Sequence, residues 1–320
     1  MPKVSQRGAA LPSSPIRRLA PMAAAARKRG VRVYGLNIGQ PDLPTPEPFW
    51  NAVQNHPRGT LDYSPSPGFE SIREKWAQYL SRYGAEISAE NIVVTNGGSE
   101  AIGFAMLAAT DPGDEIVVPD PMYANYITYA KIANVKLKPV VCRVEEGYAL
   151  PSDDALRAVV SERTRAIVVC NPSNPTGKLL SPEEWNRIAA LAQENDLFVI
   201  CDEAYRDFRY DGSAPETALS HPQIKDRVIV VDTVSKRWSA CGARVGALVS
   251  LREDVIAVAV KCAQARLSPP SLGQIGSQAL FDLPEDYYQN VRREYKARRD
   301  FLHAAVTAIA GVYCPLPQGA

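Results

Sequence analysis

Seven short apolar runs recur through this 320-residue chain, and amphipathic helical patterns separate several of them. Continuous apolar strands that alternate with helices are typical of a mostly parallel sheet with helices on both faces. We therefore predict an α/β fold whose seven-stranded, mostly parallel sheet is covered by helices on both sides. The predicted strands are residues 92–95, 115–118, 136–141, 166–170, 198–202, 228–233 and 246–250.

The helical patterns carry recognisable start signals. Ser181 precedes one of them and Glu184 follows three residues later, which is the arrangement of a capping box. The longest pattern covers residues 282–310, where Asp282 and Glu285 predict a second capping box. This helix is expected to join the sheet domain to a second domain. The other predicted helices include residues 69–83, 100–109, 123–133, 153–160 and 182–194.

Composition excludes several classes of function. The formal net charge is +1, so no electrostatic argument favours nucleic acid or an anionic membrane as a partner. The six cysteines show neither paired nor zinc-ligand spacing, and only three histidines are present, so we expect no metal site. No apolar run approaches the roughly 18 residues of a membrane span. These features indicate a cytoplasmic protein with reduced thiols.

Unusual residues follow four of the predicted strands, at the sheet edge where ligands bind in open α/β folds. The glycine-rich turn at 97–99 opens a helix and offers backbone N–H groups to an anion. Asn174 lies in a stretch with two Asn-Pro steps, and Asp202 is a carboxylate at a strand end that requires a cationic partner. Lys236 follows the sixth strand; a neutral lysine there could form a Schiff base, and Arg244 could hold a phosphate. Alone, Lys236 is equally well explained as a surface lysine.

One cofactor, pyridoxal phosphate, accounts for all four features. Its aldehyde needs an amine, its phosphate needs N–H groups and an arginine, its ring nitrogen needs an acid, and its phenolic oxygen needs hydrogen-bond donors. The chain lacks the dinucleotide-binding glycine pattern and the phosphate loop of ATPases, which argues against those ligands. In the order of the cofactor groups, the candidates are Lys236, Gly98 and Ser99 with Arg244, Asp202, and Asn174 with Tyr205.

Five segments, in order and with matching spacing, resemble the class I/II (aspartate aminotransferase-like) family of fold-type I pyridoxal-phosphate enzymes. The resemblance runs from about residue 13 to the end of the chain. Each segment alone is weak evidence, but the combination is specific. The segments are Asn37-Ile-Gly-Gln-Pro-Asp42, Thr95-Asn-Gly-Gly-Ser-Glu-Ala101, Asn171-Pro-Ser-Asn-Pro-Thr-Gly177, Asp202-Glu-Ala-Tyr205, and Ser235-Lys236 with Gly242-Ala-Arg-Val-Gly246.

The resemblance implies a role for each matching position. Lys236 would carry the cofactor aldimine and, with Asp202 and Tyr205, form the catalytic set. Gly39 and Asn174 would bind substrate. Threonine occupies position 233, where the family usually has serine, and it keeps the hydroxyl. The implied cofactor-binding residues are Tyr63, Gly98, Ser99, Tyr123, Asn174, Asp202, Tyr205, Thr233, Ser235, Lys236 and Arg244.

The implied reaction is transfer of an amino group from an amino acid to a 2-oxo acid through ping-pong half-reactions. Tyr63 would reach the cofactor of a second subunit, so the resemblance implies a homodimer with shared active sites. A carbon–sulfur β-lyase, or a synthase acting on S-adenosylmethionine, would share the same cofactor motifs. A regulatory module that only senses the cofactor is disfavoured, because residues 1–36 are too proline-broken for a helix-turn-helix.

The resemblance also divides the chain. We expect an N-terminal arm and part of a small domain at 1–45, a large cofactor-binding domain at 46–284, and a connecting helix with the start of a small domain at 285–320. Family members normally continue past a segment like residues 317–320, and the continuation supplies an arginine that binds the substrate α-carboxylate. We therefore expect a fragment of a longer protein; the alternative is a cofactor-binding protein without full activity.

Overall fold

The computed structural model describes residues 2–320, and its centre is one seven-stranded sheet in the order β1-β7-β6-β5-β4-β2-β3. All seven predicted strands are present, with bounds that differ from the prediction by at most two residues. The strands are β1 Ile92–Thr95, β2 Glu115–Asp120, β3 Lys136–Val141, β4 Thr164–Cys170, β5 Phe198–Asp202, β6 Val228–Thr233 and β7 Gly246–Val249.

Helices fill most of the chain between the strands. Those at the N-terminus are α1 Gln6–Ala9, α2 Ala20–Lys28, α3 Glu47–Gln54 and α4 Glu70–Ser81. Within the sheet region they are α5 Gly98–Ala109, α6 Asn125–Ala133, α7 Asp153–Ala158 and α8 Pro182–Glu194. After the sheet come α9 Glu253–Arg266, α10 Ser271–Gln278 and α11 Glu285–Thr307.

Strand direction explains how the sheet edge is built. Five strands, β2 to β6, run parallel, whereas β7 is antiparallel to both of its neighbours, β1 and β6. The carboxyl ends of β1 to β6 therefore share one edge, where the amino end of β7 also lies. The prediction of a mostly parallel α/β sheet is confirmed.

Two apolar layers cover the sheet, one on each face. In β4, Ile167 and Val169 pack into one layer, and Ala166 and Val168 pack into the other. Both faces of the strand are buried, so its sequence is continuously apolar rather than alternating. One layer includes Trp76, Leu80, Trp185, Trp238 and Phe281, and the other includes Ile102, Met106, Tyr126 and Val255.

One of the two predicted capping boxes is correct. The Ser181 hydroxyl accepts a hydrogen bond from the Glu184 backbone, and the Glu184 carboxylate accepts one from Ser181 N–H. The box predicted from Asp282 is wrong, because α11 begins after Pro284 and has no side-chain cap. Asp282 lies in the preceding 3-10 turn and forms an ion pair with Lys75 of α4 instead. A tertiary contact has replaced the local one.

No helix among residues 2–320 is long and apolar enough to cross a lipid bilayer. Within the same residues, no group of three or more histidine, cysteine, aspartate or glutamate side chains is arranged to hold a metal ion.

Candidate active site

The carboxyl edge of the sheet brings together residues that are far apart in sequence. In the register of the sheet, Gly246 at the start of β7 lies opposite both Thr95 at the end of β1 and Thr233 at the end of β6. Because β7 is antiparallel, Arg244 just before it reaches the edge where the other strands end. This reversal places the arginine beside the glycine-rich turn.

The Arg244 guanidinium lies against that turn. Its Nη2 donates a hydrogen bond to the Asn96 carbonyl at 3.2 Å, and its Nη1 donates to the Cys241 carbonyl at 2.9 Å. Gly97 has a φ of 76°, and a Cβ at this residue would collide with the guanidinium. Glycine is therefore required here both for its backbone conformation and for space. Arginine and the helix N-terminus that follows can act together on an anion.

Two buried hydroxyl groups complete this end of the site. The Oγ atoms of Thr233 and Ser235 are 2.8 Å apart, and the Ser235 N–H donates to the Thr233 hydroxyl at 3.2 Å. A Cβ at Gly98, the first residue of α5, would lie 3.6 Å from the Thr233 Cβ. Ser99 follows on the same helical turn. Thr233, Ser235, Gly98, Ser99 and Arg244 are thus gathered at one end, as a phosphate site requires.

Asp202 lies at the opposite end of the site, at the last position of β5. Its Oδ2 accepts a hydrogen bond from the Tyr126 hydroxyl at 2.9 Å, and its Oδ1 accepts one from the Ala204 N–H at 3.1 Å. Burial raises the pKa of this carboxyl above its ordinary value, although both hydrogen bonds and Lys236 act in the opposite direction. Among residues 2–320, no lysine or arginine forms a direct ion pair with it.

Lys236 lies between these two ends. Its Nζ donates to the Gly39 carbonyl at 2.6 Å and is 5.6 Å from the centre of the Tyr205 ring. Burial lowers the pKa of the amine; Cys241 and Asp202 oppose this shift, and Arg244 adds to it. The neutral amine is consequently more accessible than on a surface lysine, which is the state that attacks an aldehyde.

Tyr123, Asn174 and Tyr205 are also brought to this region. Tyr123 and Asn174 line one cavity, and the Tyr123 ring lies edge-on to Tyr126 with centroids 5.5 Å apart. Burial raises the pKa of Tyr205, and the nearby Asp202 and Tyr123 raise it further. A Cβ at Gly39 would lie 3.4 Å from the Tyr205 hydroxyl.

Tyr63 is the one predicted site residue that the chain does not bring to its own site. Its side chain is 78% exposed, in the loop before α4. The hydroxyl of Ser271 on α10 donates to the carbonyl of the neighbouring Asp62 at 3.1 Å, which anchors this loop. An exposed position agrees with the expectation that Tyr63 acts on a second subunit, and that expectation stays a prediction.

Two residues near the site were missed by the sequence analysis. Tyr126, the donor to Asp202, is fully buried on α6, whereas Tyr123 precedes that helix. In the predicted helix 123–133, the spacing of three residues places both tyrosines on nearly the same face. That spacing was the available signal. The Cys241 thiol donates to the Ser235 carbonyl at 3.1 Å and influences the Lys236 amine. Nothing in the cysteine pattern indicated its position.

Five charged residues beneath the site form what we call the buried ion network. They are at most 4% exposed. The carboxylate of Asp232 lies at its centre: Oδ2 accepts from Arg206 at 3.2 Å and from the Trp76 indole at 2.8 Å, and Oδ1 accepts from Arg237 at 2.5 Å. Burial alone would raise the pKa of Asp232, but the two arginines outweigh it and lower the pKa. The network members are Glu203, Arg206, Asp207, Asp232 and Arg237.

The arrangement fits pyridoxal phosphate. Asp202 is a buried carboxylate without a paired cation, which a protonated pyridine nitrogen would supply. At the other end, Gly97 leaves room for Arg244 beside the N-terminus of α5. The amine of Lys236 lies between them, as attachment to the cofactor aldehyde demands.

Comparison with known proteins agrees with this geometry. The family described as "Aminotransferase class I and II" matches residues 31–320. The aspartate aminotransferase of Rhizobium meliloti is 30% identical over 312 residues, which cover 96% of this chain and 76% of that protein. All of this chain and 84% of a double mutant of the Thermus thermophilus aspartate aminotransferase superpose with a TM-score of 0.92 and 29% identity.

The alanine aminotransferase of Pyrococcus furiosus is also similar, with a TM-score of 0.91 and 30% identity over 99% of this chain and 82% of that one. The expected family, fold and cofactor are confirmed, and no finding favours the lyase alternative. The chain therefore belongs to the class I and II aminotransferases, enzymes that use pyridoxal phosphate to transfer an amino group between an amino acid and a 2-oxo acid.

Proposed function

We propose that amino-group transfer takes place at the site described above and that Lys236 is the residue to which the cofactor attaches. One observation carries this proposal: the Lys236 amine lies between an unpaired buried acid, Asp202, and the anion site at Arg244, with its pKa lowered by burial. Lysines on the protein surface have no reason to lose their charge in this way.

Pyridoxal phosphate supplies an aldehyde that takes up the amino group and a ring that accepts the electron pair of the broken C–H bond. Asp202 would hold a proton on the ring nitrogen, which keeps the ring electron-accepting. Tyr205 and Asn174 would bind the phenolic oxygen, and Tyr123 would stack on the ring. The Lys236 amine, once free, would take the α-proton of the substrate and return it to the cofactor carbon beside the ring.

At the phosphate end, five residues would act together. The N–H groups at the start of α5 are unsatisfied within the helix and can donate to phosphate oxygens. The charge of Arg244 strengthens this attraction, and hydroxyl groups add further hydrogen bonds. The proposed phosphate-binding residues are Gly98, Ser99, Thr233, Ser235 and Arg244.

Borohydride reduction followed by peptide mass spectrometry tests the role of Lys236. Reduction should fix the cofactor on the peptide that contains Lys236 and on no other. The Lys236→Ala variant should lose both this label and the visible absorbance of the bound cofactor. Lys261→Ala, which changes an exposed lysine on α9, serves as the control and should keep both. A label that persists in Lys236→Ala would move the role to another lysine.

Aspartate is the first amino donor to test, because several relatives are named aspartate aminotransferases. Gly39, beside the Tyr205 hydroxyl, is the proposed backbone contact for the substrate carboxylate. Holoprotein should be mixed with single amino acids while the cofactor spectrum is followed. A 2-oxo acid formed without ammonia supports transfer, whereas ammonia with pyruvate would indicate lyase chemistry.

We also propose a homodimer in which Tyr63 contributes to the site of the second subunit. The exposure of Tyr63 supports this, because its side chain is accessible to a second subunit. Lys236→Ala and Tyr63→Ala chains should each be impaired alone. In mixed dimers, one site combines an intact Lys236 with an intact Tyr63, so mixing should restore activity. No restoration, in dimers verified by size, would contradict shared sites.

The division into segments 1–45, 46–284 and 285–320 is likewise a proposal. Asp42 pairs with Arg298 of α11 at 2.6 Å, which supports grouping the arm with that helix, and Leu43 packs on the cluster of Phe208, Tyr210 and Val291. Limited proteolysis should cut first near the two boundaries.

We also propose a cytoplasmic location. Six free cysteines, all at least partly buried, support a reducing environment.

A further inference from the structure

The buried ion network is joined covalently to the proposed cofactor site. Four of its members are immediate chain neighbours of residues assigned to the site. Side chains on adjacent residues point in different directions, so one residue of each pair faces the site and the other faces the network. The pairs are Asp202–Glu203, Tyr205–Arg206, Thr233–Asp232 and Lys236–Arg237.

Arg237, the neighbour of Lys236, is held firmly by its side chain. Its Nη1 donates to Oδ2 of Asp207 at 3.0 Å, and its Nη2 donates to Oδ1 of Asp232 at 2.5 Å. Asp207 is itself fixed, because the Tyr79 hydroxyl donates to its carboxylate at 2.6 Å. The guanidinium therefore bridges two immobilised carboxylates in the protein interior.

The backbone of Arg237 is held separately, from the long helix α11. The hydroxyl of Tyr287, in the first turn of that helix, donates to the Arg237 carbonyl at 2.9 Å. Burial raises the pKa of Tyr287, so this hydroxyl stays protonated and remains a donor. In the next position, Tyr288 accepts a hydrogen bond from the indole of Trp238 at 3.2 Å.

We propose that Tyr287 is a positioning residue for Lys236: its hydroxyl fixes the carbonyl of the adjacent Arg237, while the Arg237 guanidinium is fixed by the network. The inference rests on the proposed attachment of the cofactor to Lys236. With its neighbour bonded from both sides, Lys236 extends from a rigid backbone toward Gly39 and Tyr205. Small errors in placing a group that transfers a proton are costly in rate.

A substitution of Arg237 is a poor test of the proposed positioning of Lys236. Removal of Arg237 would leave two buried carboxylates short of a cation, and the protein could fail to fold. Tyr287→Phe removes only one hydroxyl from a partly buried ring. Tyr295→Phe is the matched control, because it makes the same change on the same helix. Its hydroxyl makes a long 3.5 Å contact with Asp42 and, unlike that of Tyr287, no hydrogen bond to the segment that carries Lys236.

In the holoenzyme, Tyr287→Phe should lower kcat of the half-reaction about fivefold, which corresponds to the loss of one ordinary hydrogen bond. The KM for the amino acid should stay within about twofold, because Tyr287 contacts no proposed substrate-binding group. Tyr295→Phe should match the unchanged protein in both constants.

A second measurement does not depend on turnover. In the cofactor-free full chain, the rate at which acetic anhydride modifies Lys236 is followed against pH by peptide mass spectrometry. A loosened lysine reaches water more often, so Tyr287→Phe should raise the midpoint of this curve, and Tyr295→Phe should leave it unchanged. The inference would be overturned if Tyr287→Phe left both kcat and the midpoint of the modification curve unchanged while borohydride still labelled Lys236. Labelling at a different lysine would overturn its premise instead.

Discussion

The Tyr126 hydroxyl donates a 2.9 Å hydrogen bond to Oδ2 of Asp202, from helix α6 onto the end of β5. Both residues are buried, and Asp202 has no direct ion-pair partner among residues 2–320. Hydrogen bonds to a charged group are stronger than those between neutral groups. The tyrosine therefore helps to keep Asp202 ionised and oriented where burial alone would favour the protonated acid.

Tyr126→Phe should slow the half-reaction at least roughly tenfold, because a hydrogen bond to a charged group contributes about 1.5–3 kcal/mol. Loss of the donor should also raise the pKa of Asp202 further, so the acidic limb of the pH–rate profile should move to higher pH. Tyr129→Phe, on the same helix and without a hydrogen bond to Asp202, is the control. A pH profile identical to that of the unchanged enzyme would argue against this role.

Asp202→Asn should change the pH dependence of stability and, separately, the rate of the half-reaction. Burial raises the folded-state pKa of Asp202, so the unfolded chain ionises first as the pH rises above about 4. The protonated Asp202 therefore contributes to the free energy of unfolding at low pH. This contribution falls as the pH rises from about 4 to the raised folded-state pKa. The cofactor-free variant should lack this loss of stability. In the cofactor-loaded variant, the rate of the half-reaction should fall at least about a hundredfold.

Thermal unfolding of the cofactor-free proteins between pH 4 and 7 measures this difference. The midpoint of Asp202→Asn should decline less across that range than the midpoint of the unchanged chain. Asp286→Asn, at an exposed position on α11, controls for the loss of one negative charge. Parallel curves for all three proteins would contradict the raised pKa.

Gly97→Ala should weaken cofactor binding by at least about tenfold, because the new methyl group would displace the Arg244 guanidinium from a charge-assisted position. Gly212→Ala is a matched control: Gly212 has a φ of 84°, similar to that of Gly97, but no atom lies within 4 Å of the added Cβ. Both variants should lose about 1–3 kcal/mol of stability from backbone strain. Equal cofactor affinities in titration would exclude the steric effect.

Asp232→Asn should destabilise the protein by about 3 kcal/mol or more, because it leaves two buried arginines without their shared carboxylate. Chemical denaturation measures the free energy of unfolding. Asp254→Asn breaks the exposed Arg252–Asp254 pair instead and should cost no more than about 1 kcal/mol. Similar losses in the two variants would show that the buried ion network contributes little.

Much of the fold was predictable because strands that are buried on both faces have continuous apolar sequences, which are easy to recognise. The runs at β5 and β6 are apolar up to Cys201 and Val231, polar residues follow at their ends, and the bounds of both strands coincide with the predicted bounds. The direction of a strand could not be predicted in this way. Because β7 is buried on both faces, the same apolar sequence would suit a parallel strand. The position of Arg244 at the ligand edge depends on that direction. Arg244 is predicted as a phosphate partner from its spacing after Lys236, not from the direction of β7.

The roles of Asp202 and Lys236 stay predictions, but their place at one edge of the sheet could be expected, because Asp202 ends β5 and Lys236 follows β6 by three residues. The buried ion network could not be predicted, because its contacts join distant parts of the chain. Trp76 and Asp232 are 156 residues apart, and Arg206 and Asp232 are 26 apart. Asp232 lies inside an apolar strand, and no local pattern names its partners.

The alternation between site and network has a consequence for how this sequence can change. In residues 202–206 and 232–237, groups that face the cofactor site and groups that hold the fold follow one another at intervals of one or two residues. Inserting or deleting a single residue in either stretch would shift these groups relative to one another, so that the charges of the buried ion network would lose their partners and the proposed site residues would lose their positions. These stretches can therefore vary by substitution, but their length is fixed.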